Sequence, residues 1–324
     1  MPRMARHSFA PATETIMTAT IFIDGEAGTT GLQIREKLAA LPGIILRSLP
    51  ADARKDVAAK KRLLGEVDLA ILCLPDDAAR ETAALIESLG EAAPRVIDAS
   101  SAHRVAPGWT YGFPELNDGQ GAAIAKARKV SNPGCHATGA IALLRPLTAN
   151  GLVGKDTPIT ITSVSGYTGG GKSMIEAYES GKAPAFELYG LGLEHKHVPE
   201  IEAYSGLSRR PLFVPSVGNF AQGMLVSIPL QLEVLPGKPA SRDLSLALEE
   251  HYRGGRFVSV LPMAEAGGDA GRLEAESLNG TNDMHLRVFA NEKHRQAVLV
   301  AKLDNLGKGA SGAAVQNLKL MLGL

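Results

Sequence analysis

Short apolar runs alternate with helical patterns over the first hundred residues. The apolar runs predict four buried strands, at residues 20–24, 43–49, 67–74 and 95–98. Helical spacing places Ile34, Leu38 and Leu41 on one face of a helix that Pro42 ends, and an alanine-rich stretch at 76–89 predicts another helix. Strands that alternate with helices predict a parallel sheet with helices on both faces.

The pattern changes after Cys135. A helix is predicted over 137–144, ending before Pro146, and the chain finishes with a helix over 311–322. Between them lie strands rich in Thr, Val and Ile, at 158–164, 212–215, 223–234, 256–260, 285–289 and 296–303. Several alternate apolar with polar residues, which favours an antiparallel sheet with one solvated face. The predicted architecture is a dinucleotide-type domain followed by a mixed α+β domain.

Composition and charge narrow the class of protein. The 324 residues suit two domains, and 45% hydrophobic with 21% charged residues allow an ordinary core. Lys+Arg and Asp+Glu both total 34, so net charge indicates neither nucleic acid nor an anionic membrane as partner. Apolar runs are too short for a membrane span. Residues 1–18 lack a signal-peptide core and are expected to be a disordered leader, and the protein is expected to be cytoplasmic.

The two cysteines have different surroundings. They are too few for a disulfide framework in a chain of this length. Cys73 lies in an apolar run and is interpreted as a small core residue. Cys135 follows Ser131-Asn-Pro-Gly134 and begins a helix, where the helix dipole and free N–H groups favour a thiolate and can face an oxyanion. The alternative is an inert cysteine at a helix start.

A glycine loop follows the first strand. Gly25, Gly28 and Gly31 lie between that strand and a helix, which is the context of a turn that binds a pyrophosphate. The alternative is a tight turn that binds nothing. A second glycine-rich stretch, 163–172, lacks the spacing of a nucleotide-triphosphate loop, so that function is rejected.

Two further motifs carry candidate chemistry. His195 and His197 are suited to activating a thiol, whereas metal binding is a minor hypothesis because a zinc-type Cys/His cluster is missing from the sequence. Arg104 follows the strand at 95–98 and could hold a phosphate or carboxylate, or else pair with Asp98 or Glu115.

Taken together, these motifs resemble one enzyme family. The segments are Asp24-Gly-Glu-Ala-Gly-Thr-Thr-Gly31, Asp98-Ala-Ser-Ser-Ala-His-Arg104, Ser131-Asn-Pro-Gly-Cys135, Ser163-Val-Ser-Gly166 and His195-Lys-His-Val-Pro-Glu-Ile201. From about residue 19 to the end, the chain resembles the N-acetyl-gamma-glutamyl-phosphate reductases, and most of all their shorter, type 2 branch. His136 stands where the commoner branch has Tyr, which fits type 2.

The resemblance implies a fold and a reaction. The family belongs with the semialdehyde and glyceraldehyde-phosphate dehydrogenases, so the expected fold is α/β, with a Rossmann-type dinucleotide-binding domain and a mixed α+β catalytic domain. The implied reaction reduces the acyl phosphate N-acetyl-glutamyl 5-phosphate with NADPH to the semialdehyde and phosphate, in arginine biosynthesis. The expected domains are 19–134, completed by helix 305–324, and a catalytic and oligomerisation domain at 135–304. A homo-oligomer, dimer or tetramer, is expected.

The resemblance also implies roles for single residues. Cys135 is the expected nucleophile and His195 the acid/base that lowers the effective pKa of the thiol, with His197 as the alternative. No metal is expected. The expected substrate-binding residues are Arg104, Asn132, His197 and Glu200. The expected cofactor-binding residues are Gly25, Gly28, Thr29, Thr30, Gly31, Ser165, Gly166 and, in the last helix, Asn317.

The second strand favours NADP over NAD. An NAD site usually has a carboxylate at the end of that strand, whereas this strand ends in Arg47 and Ser48. Arg54 and Lys55 follow and could bind the same 2′-phosphate, while Asp52 favours NAD if it points into the site. The alternative is an ordinary solvated face. Two other functions stay open: aspartate-semialdehyde dehydrogenase, which the His195–Ile201 motif disfavours, and a non-catalytic dinucleotide-binding sensor.

Overall fold

A parallel sheet forms the first half of the molecule. The computed structural model describes residues 18–263 and 271–324, so the expected leader, apart from Thr18, lies outside the described residues. The strands are β1 (Ala19–Asp24), β2 (Ile44–Arg47), β3 (Leu69–Leu72), β4 (Arg95–Asp98), β5 (Thr110–Tyr111) and β6 (Lys129–Ser131). Their order is β2-β1-β3-β4-β6-β5, and every pairing is parallel. The four predicted strands are confirmed, whereas β5 and β6 were missed because each has only two or three residues.

Helices cover both faces of this sheet, as predicted. They are α1 (Thr29–Ala39), α2 (Val57–Leu64), α3 (Asp76–Glu87) and α4 (Gln120–Lys126). Along β1, Ile21 and Ile23 pack in one core cluster with α1, and Phe22 packs in another with α2 and α3. Since side chains alternate along a strand, this division follows from the sequence. Asp56 starts α2 by accepting the amide N–H groups of Ala58 and Ala59.

The second sheet is mixed. Its strands are β7 (Thr160–Gly166), β8 (Phe186–Leu188), β9 (Leu212–Gly218), β10 (Met224–Gln231), β11 (Val258–Val260), β12 (Met284–Asn291) and β13 (Gln296–Leu303), in the order β11-β12-β13-β10-β7-β9-β8. The antiparallel expectation is wrong for two pairs, since β7 and β9 run parallel, as do β11 and β12. The chain between β7 and β9 is long enough for a crossover, which permits a parallel return.

One helix runs through the proline that was expected to end it. The remaining helices are α5 (Cys135–Ala149), α6 (Lys172–Glu179), α7 (Val198–Ser205), α8 (Ser241–Tyr252) and α9 (Gly312–Leu322). Pro146 lies inside α5 and cannot donate to the Ala142 carbonyl. The hydroxyl of Tyr252 donates to that carbonyl instead, at 2.8 Å. A contact from α8 therefore replaces the hydrogen bond that the proline removes.

The chain end packs on the first sheet. Leu318 and Met321 of α9 belong to the same core cluster as Ile21. A π-helical turn, Gly307–Ser311, precedes α9, and its fully buried Lys308 bonds both carboxylate oxygens of Glu115 at 2.8 Å. Among the described residues, no helix is long and apolar enough to cross a membrane.

Candidate active site

Cys135 is the first residue of α5 and opens into a cavity of about 330 Å³, here called the thiol pocket. Extended Gly134 precedes it, and no side chain from the described residues caps the helix. Cys135 is partly exposed, while His136 and Ala137 behind it are buried. Cys135 therefore presents its sulfur at a helix N-terminus, where backbone N–H groups can face an oxyanion.

The electrostatics of the thiol differ from the expectation. Burial raises the pKa of Cys135 above its usual 9.0, and the nearby Arg104 guanidinium acts in the opposite direction. Burial also lowers the pKa of His195 to about 4, with Lys196 and Arg104 adding to the effect. The positive charge that favours the thiolate form of Cys135 is therefore the guanidinium of Arg104 and not an imidazolium. Burial thus favours the uncharged form of the thiol and of the imidazoles beside it.

Glu200 connects three parts of the site. Its carboxylate accepts Arg104 Nη1–H at 2.6 Å, the Tyr111 hydroxyl at 2.7 Å and the Gly134 amide at 3.2 Å. It is 1% exposed and Arg104 is 7% exposed, so this is a buried ion pair. The partner of Arg104 is therefore Glu200, not Asp98 or Glu115. Asp98 instead binds His103 Nδ1 at 2.6 Å.

Gly134 allows the close approach of Arg104 and His197. A Cβ on Gly134 would lie 2.4 Å from His197 Nε2 and 2.5 Å from Arg104 Nη1. Burial, followed by Arg104, lowers the pKa of His197 well below its usual value. The Nδ1 atom of His197 is buried with no hydrogen-bond partner among the described residues. His197 and Arg104 thus both converge on the turn that precedes the thiol.

His195 lies half-buried in the same pocket. Its Nδ1 accepts the backbone N–H of His197 at 3.1 Å, so the neutral ring carries its proton on Nε2. The His195 and His197 rings meet edge to face with centroids 4.7 Å apart. The two histidines therefore differ, because His195 is reachable from the pocket whereas His197 is enclosed.

His136 is a site residue whose function the sequence did not indicate. Its Nδ1 lies 2.7 Å from Ser163 Oγ and its Nε2 lies 2.9 Å from the Tyr189 hydroxyl. Burial lowers its pKa to about 3. The Cys135 sulfur and one ring nitrogen each of His136 and His197 lie within 4.8 Å of one another. Both ring nitrogens of His136 already have hydrogen-bond partners. Its position directly after Cys135 was the one available signal.

Asparagines join the thiol turn to the chain end. Asn132 donates to the Ala310 carbonyl at 3.0 Å, and its backbone carbonyl accepts Arg104 Nε–H at 3.1 Å. Asn317 donates to the Gly112 carbonyl and to Asn132 Oδ1, and its own Oδ1 is buried without a partner among the described residues. Asn317 is fully buried, so the structure shows it in contact with Asn132 rather than open to the pocket.

The glycine loop fits a dinucleotide pyrophosphate. Gly25 has φ +88°, and a Cβ there would lie 2.2 Å from the Cys73 carbonyl oxygen. A Cβ on Gly31 would lie 2.3 Å from the Gly25 carbonyl oxygen. Gly28 precedes α1 with no side-chain cap, and Thr29 and Thr30 of the first turn line the thiol pocket. The uncapped N-terminus of α1 thus connects the loop with Cys135.

Ser165 and Gly166 line the opposite wall of the thiol pocket. The Ser165 hydroxyl donates to the Gly166 carbonyl at 3.0 Å. A Cβ on Gly166 would lie 2.5 Å from the Ala221 carbonyl oxygen, so this strand end needs glycine. Both residues therefore lie on the same cavity as the N-terminus of α1.

A cleft of about 770 Å³ adjoins the other side of the loop and is lined in part by Glu26, Arg54 and Lys55. Glu26 bonds Arg35 at 2.5 Å, the Ser48 hydroxyl at 2.8 Å and Arg54 at 3.3 Å. We call these four residues the Glu26 cluster. The sequence indicated Ser48 and Arg54 but missed Glu26 and Arg35.

The other residues expected at the 2′-phosphate have different positions. Arg47 pairs with Glu66 at 3.0 Å, and both side chains are about half-exposed. Asp52 and Lys55 are exposed in the turn that follows β2. Arg47 is thus engaged outside the Glu26 cluster.

The architecture and the thiol site define a two-domain dehydrogenase of the semialdehyde type. Residues 26–124 match the family described as "Semialdehyde dehydrogenase, NAD binding domain", and residues 135–305 match "Semialdehyde dehydrogenase, dimerisation domain". The fold is similar to aspartate semialdehyde dehydrogenase II from Vibrio cholerae, with a TM-score of 0.71 and 17% identity over 95% of this chain and 99% of that one. It is also similar to the Candida albicans aspartate semialdehyde dehydrogenase solved with NADP, with a TM-score of 0.64 and 15% identity over 94% and 98% of the two chains.

Sequence relatives specify the family further. The chain is 53% identical to N-acetyl-gamma-glutamyl-phosphate reductase 2 of Pseudomonas putida, over 94% of this chain and 97% of that protein. It is 55% identical to N-acetyl-gamma-glutamyl-phosphate reductase of a Chelativorans species, over 94% and 99%. The chain belongs to the N-acetyl-gamma-glutamyl-phosphate reductase family.

Proposed function

We propose that this chain reduces N-acetyl-glutamyl 5-phosphate with NADPH, giving N-acetylglutamate 5-semialdehyde, phosphate and NADP, a step of arginine biosynthesis. The observation that carries the proposal is a partly exposed cysteine at a helix N-terminus, in a chain more than 50% identical to reductases of that name. Neutral imidazoles and a buried guanidinium beside the thiol support acyl transfer.

In the first half-reaction Cys135 sulfur forms a bond to the acyl carbon. The C–O bond to phosphate breaks, and phosphate leaves with the bonding electrons. The thiol proton leaves with the departing phosphate, to which the Nε2–H of His195 can donate a hydrogen bond. Arg104 adds positive charge near the phosphate, and the free N–H groups of α5 face the oxyanion. The product of this half-reaction is a thioester on Cys135.

In the second half-reaction the thioester carbon is reduced. NADPH, when bound, would supply the hydride to that carbon. Hydride addition places the carbonyl electron pair on oxygen. That pair re-forms the C=O bond as the C–S bond breaks, and the departing sulfur takes one proton from His195 Nε2, which water then replaces. Neutral His195 carries its proton on Nε2, so this nitrogen can donate a proton to the reacting atoms. His197 is the alternative acid/base, because a ring nitrogen of His197 lies within 4.8 Å of the thiol.

We propose that the cofactor is NADP and that the chain has two domains, one that binds the cofactor and one for catalysis and oligomerisation. The glycine loop with Thr29 and Thr30 would hold the pyrophosphate, Ser165 and Gly166 would lie near the nicotinamide, and Ser48 would bind the 2′-phosphate. Residues 19–134 with 305–324 form the proposed cofactor domain, which the packing of α9 on β1 supports. Residues 135–304 form the proposed catalytic and oligomerisation domain. Arg47 and Asn317 remain proposed cofactor residues; Asn132, His197 and Glu200 remain proposed substrate residues.

The match to a dimerisation domain supports assembly of identical chains. We propose a dimer or a tetramer. We also propose a cytoplasmic location, where an NADPH-dependent biosynthetic step would have its cofactor. Light scattering coupled to gel filtration measures the assembly, and a mass of one chain at micromolar concentration would contradict it.

The reverse reaction tests the proposed function. Purified protein receives NADP and phosphate with either N-acetylglutamate semialdehyde or aspartate semialdehyde, and NADPH formation is followed. We expect turnover with the acetylated substrate and at most a trace with the other. The opposite preference would make the chain an aspartate-semialdehyde dehydrogenase. Nucleotide binding without turnover of either substrate would favour a dinucleotide sensor.

A further inference from the structure

The Glu26 cluster brings one carboxylate together with the groups that would recognise a phosphate. Glu26 follows Gly25 in the glycine loop, Arg35 lies on α1, and Ser48 follows β2. Arg35 Nη1 also donates to Ser48 Oγ at 2.9 Å, so the three side chains form a closed set of contacts. Arg54 completes the cluster from the next turn.

The position of the cluster is that of the adenosine end of a dinucleotide site. In sheets of this type the residues just beyond the second strand contact the adenosine ribose. The adjoining cleft of about 770 Å³ is lined by Arg54 together with apolar Leu49, Leu74 and Leu85. An apolar cavity with a few charged groups at its rim suits a purine with its ribose phosphate.

Glu26 uses the donors that a 2′-phosphate would need. Its two oxygens contact two guanidinium groups and one hydroxyl, and its side chain is only 13% exposed. Arginine forks and hydroxyls are the usual ligands of a phosphate. A phosphate that engaged Arg35, Ser48 and Arg54 would break these contacts and would meet the negative charge of Glu26 at close range.

We propose that Glu26 is a specificity-determining residue that competes with the cofactor 2′-phosphate for Arg35, Ser48 and Arg54. The inference rests on the proposed dinucleotide-dependent function. Glu26 thereby reduces the difference in binding affinity between NADP(H) and NAD(H), because the ribose hydroxyls of NAD(H) can bind without the two arginines. The carboxylate that usually follows the second strand in an NAD site is here supplied by the glycine loop.

The test compares two nucleotide probes by calorimetry, without turnover. Adenosine 2′,5′-bisphosphate carries the 2′-phosphate and 5′-AMP lacks it. Glu26→Gln keeps the shape of the side chain and removes the charge. We expect this variant to bind the bisphosphate about tenfold more tightly than the unchanged protein, with 5′-AMP affinity changed by less than about twofold.

Two further variants make the result specific. Glu250→Gln removes the same charge from α8, where Glu250 forms an exposed pair with Arg253, and should leave both affinities unchanged. Arg35→Gln should weaken the bisphosphate about tenfold while sparing 5′-AMP, which shows whether the arginine belongs to the phosphate site even if Glu26→Gln unfolds. Thermal unfolding of each variant identifies loss of fold.

The outcomes separate the two proposals. Binding of both probes by the unchanged protein supports the dinucleotide function. An unchanged or weaker bisphosphate affinity in folded Glu26→Gln then overturns competition and assigns Glu26 to holding the arginines in place. Failure of both probes to bind at millimolar concentration would instead overturn the cofactor proposal itself.

Discussion

The thiol pocket and the Glu26 cluster handle charge in opposite ways. In the pocket, burial lowers the pKa of His195 to about 4 and raises that of Cys135, while one charged pair, Arg104 with Glu200, is held by further hydrogen bonds. In the cluster, the Arg35 and Arg54 side chains are 43% and 48% exposed. Burial in the pocket favours uncharged or paired groups, whereas the half-exposed arginines of the cluster can exchange partners at modest cost.

Among the changes that test this contrast, substitution of His195 in the thiol pocket should have the largest effect on turnover. We expect His195→Asn to lower turnover by about two to four decades, the usual scale for losing a general acid–base group. The amide keeps a polar side chain of similar size, so nucleotide binding should be retained. Steady-state kinetics in the reverse direction measure the loss. A mild effect here together with a crippling His197→Asn would reverse the two roles.

The protonation of the thiol gives the next largest effect. Because burial raises the pKa of Cys135, the thiolate fraction at neutral pH is small and grows tenfold per pH unit below that pKa. We expect the rate of alkylation of Cys135 by iodoacetamide to rise about a hundredfold from pH 6 to pH 8.

The measurement is made in a Cys73→Ser background, so that Cys135 is the only cysteine that can be alkylated. Cys73 should itself react slowly, because burial raises its pKa to about 12. Peptide mass spectrometry follows the label on Cys135. A rate that is already constant between pH 6 and pH 8 would mean that a charged thiolate–imidazolium pair persists in the pocket. The thiol pocket would then hold separated charges, and the contrast with the Glu26 cluster would be wrong.

The smallest effect concerns phosphate binding. Arg104→Lys keeps a positive charge opposite Glu200 but loses the planar fork, so we expect the phosphate KM to rise about tenfold with little change for NADP. Arg253→Lys, which changes an exposed arginine paired with Glu250, is the matched control. An unchanged phosphate KM would leave Arg104 with a structural role only, as the partner of Glu200.

Local patterns predicted much of the fold but few of the partners. The strand at 95–98 agrees residue for residue with β4, because β-branched Val96 and Ile97 form a short apolar run between the charged residues Arg95 and Asp98. The end of α5 was misplaced because the hydroxyl that compensates Pro146 comes from Tyr252, more than a hundred residues away. Sequence patterns carry no record of such a contact.

The candidate site divides in the same way. The motifs containing Cys135 and His195 are local, and the structure brings both to one cavity. The pairing of Arg104 with Glu200 joins a turn to helix α7, 96 positions away, and the Glu26 cluster draws on four segments. Residue types at the end of β2 indicated a charged site, but only the fold shows that a carboxylate from the glycine loop lies among the arginines.

Detection of the acyl-enzyme tests the central claim most directly. The protein is mixed with N-acetyl-glutamyl 5-phosphate, generated in place, without NADPH, and is quenched in acid for peptide mass spectrometry. We predict an N-acetylglutamyl adduct on the peptide that contains Cys135, which disappears when NADPH is added and is missing from Cys135→Ser. Undiminished turnover by Cys135→Ser, with no adduct on the unchanged protein, would contradict the covalent mechanism.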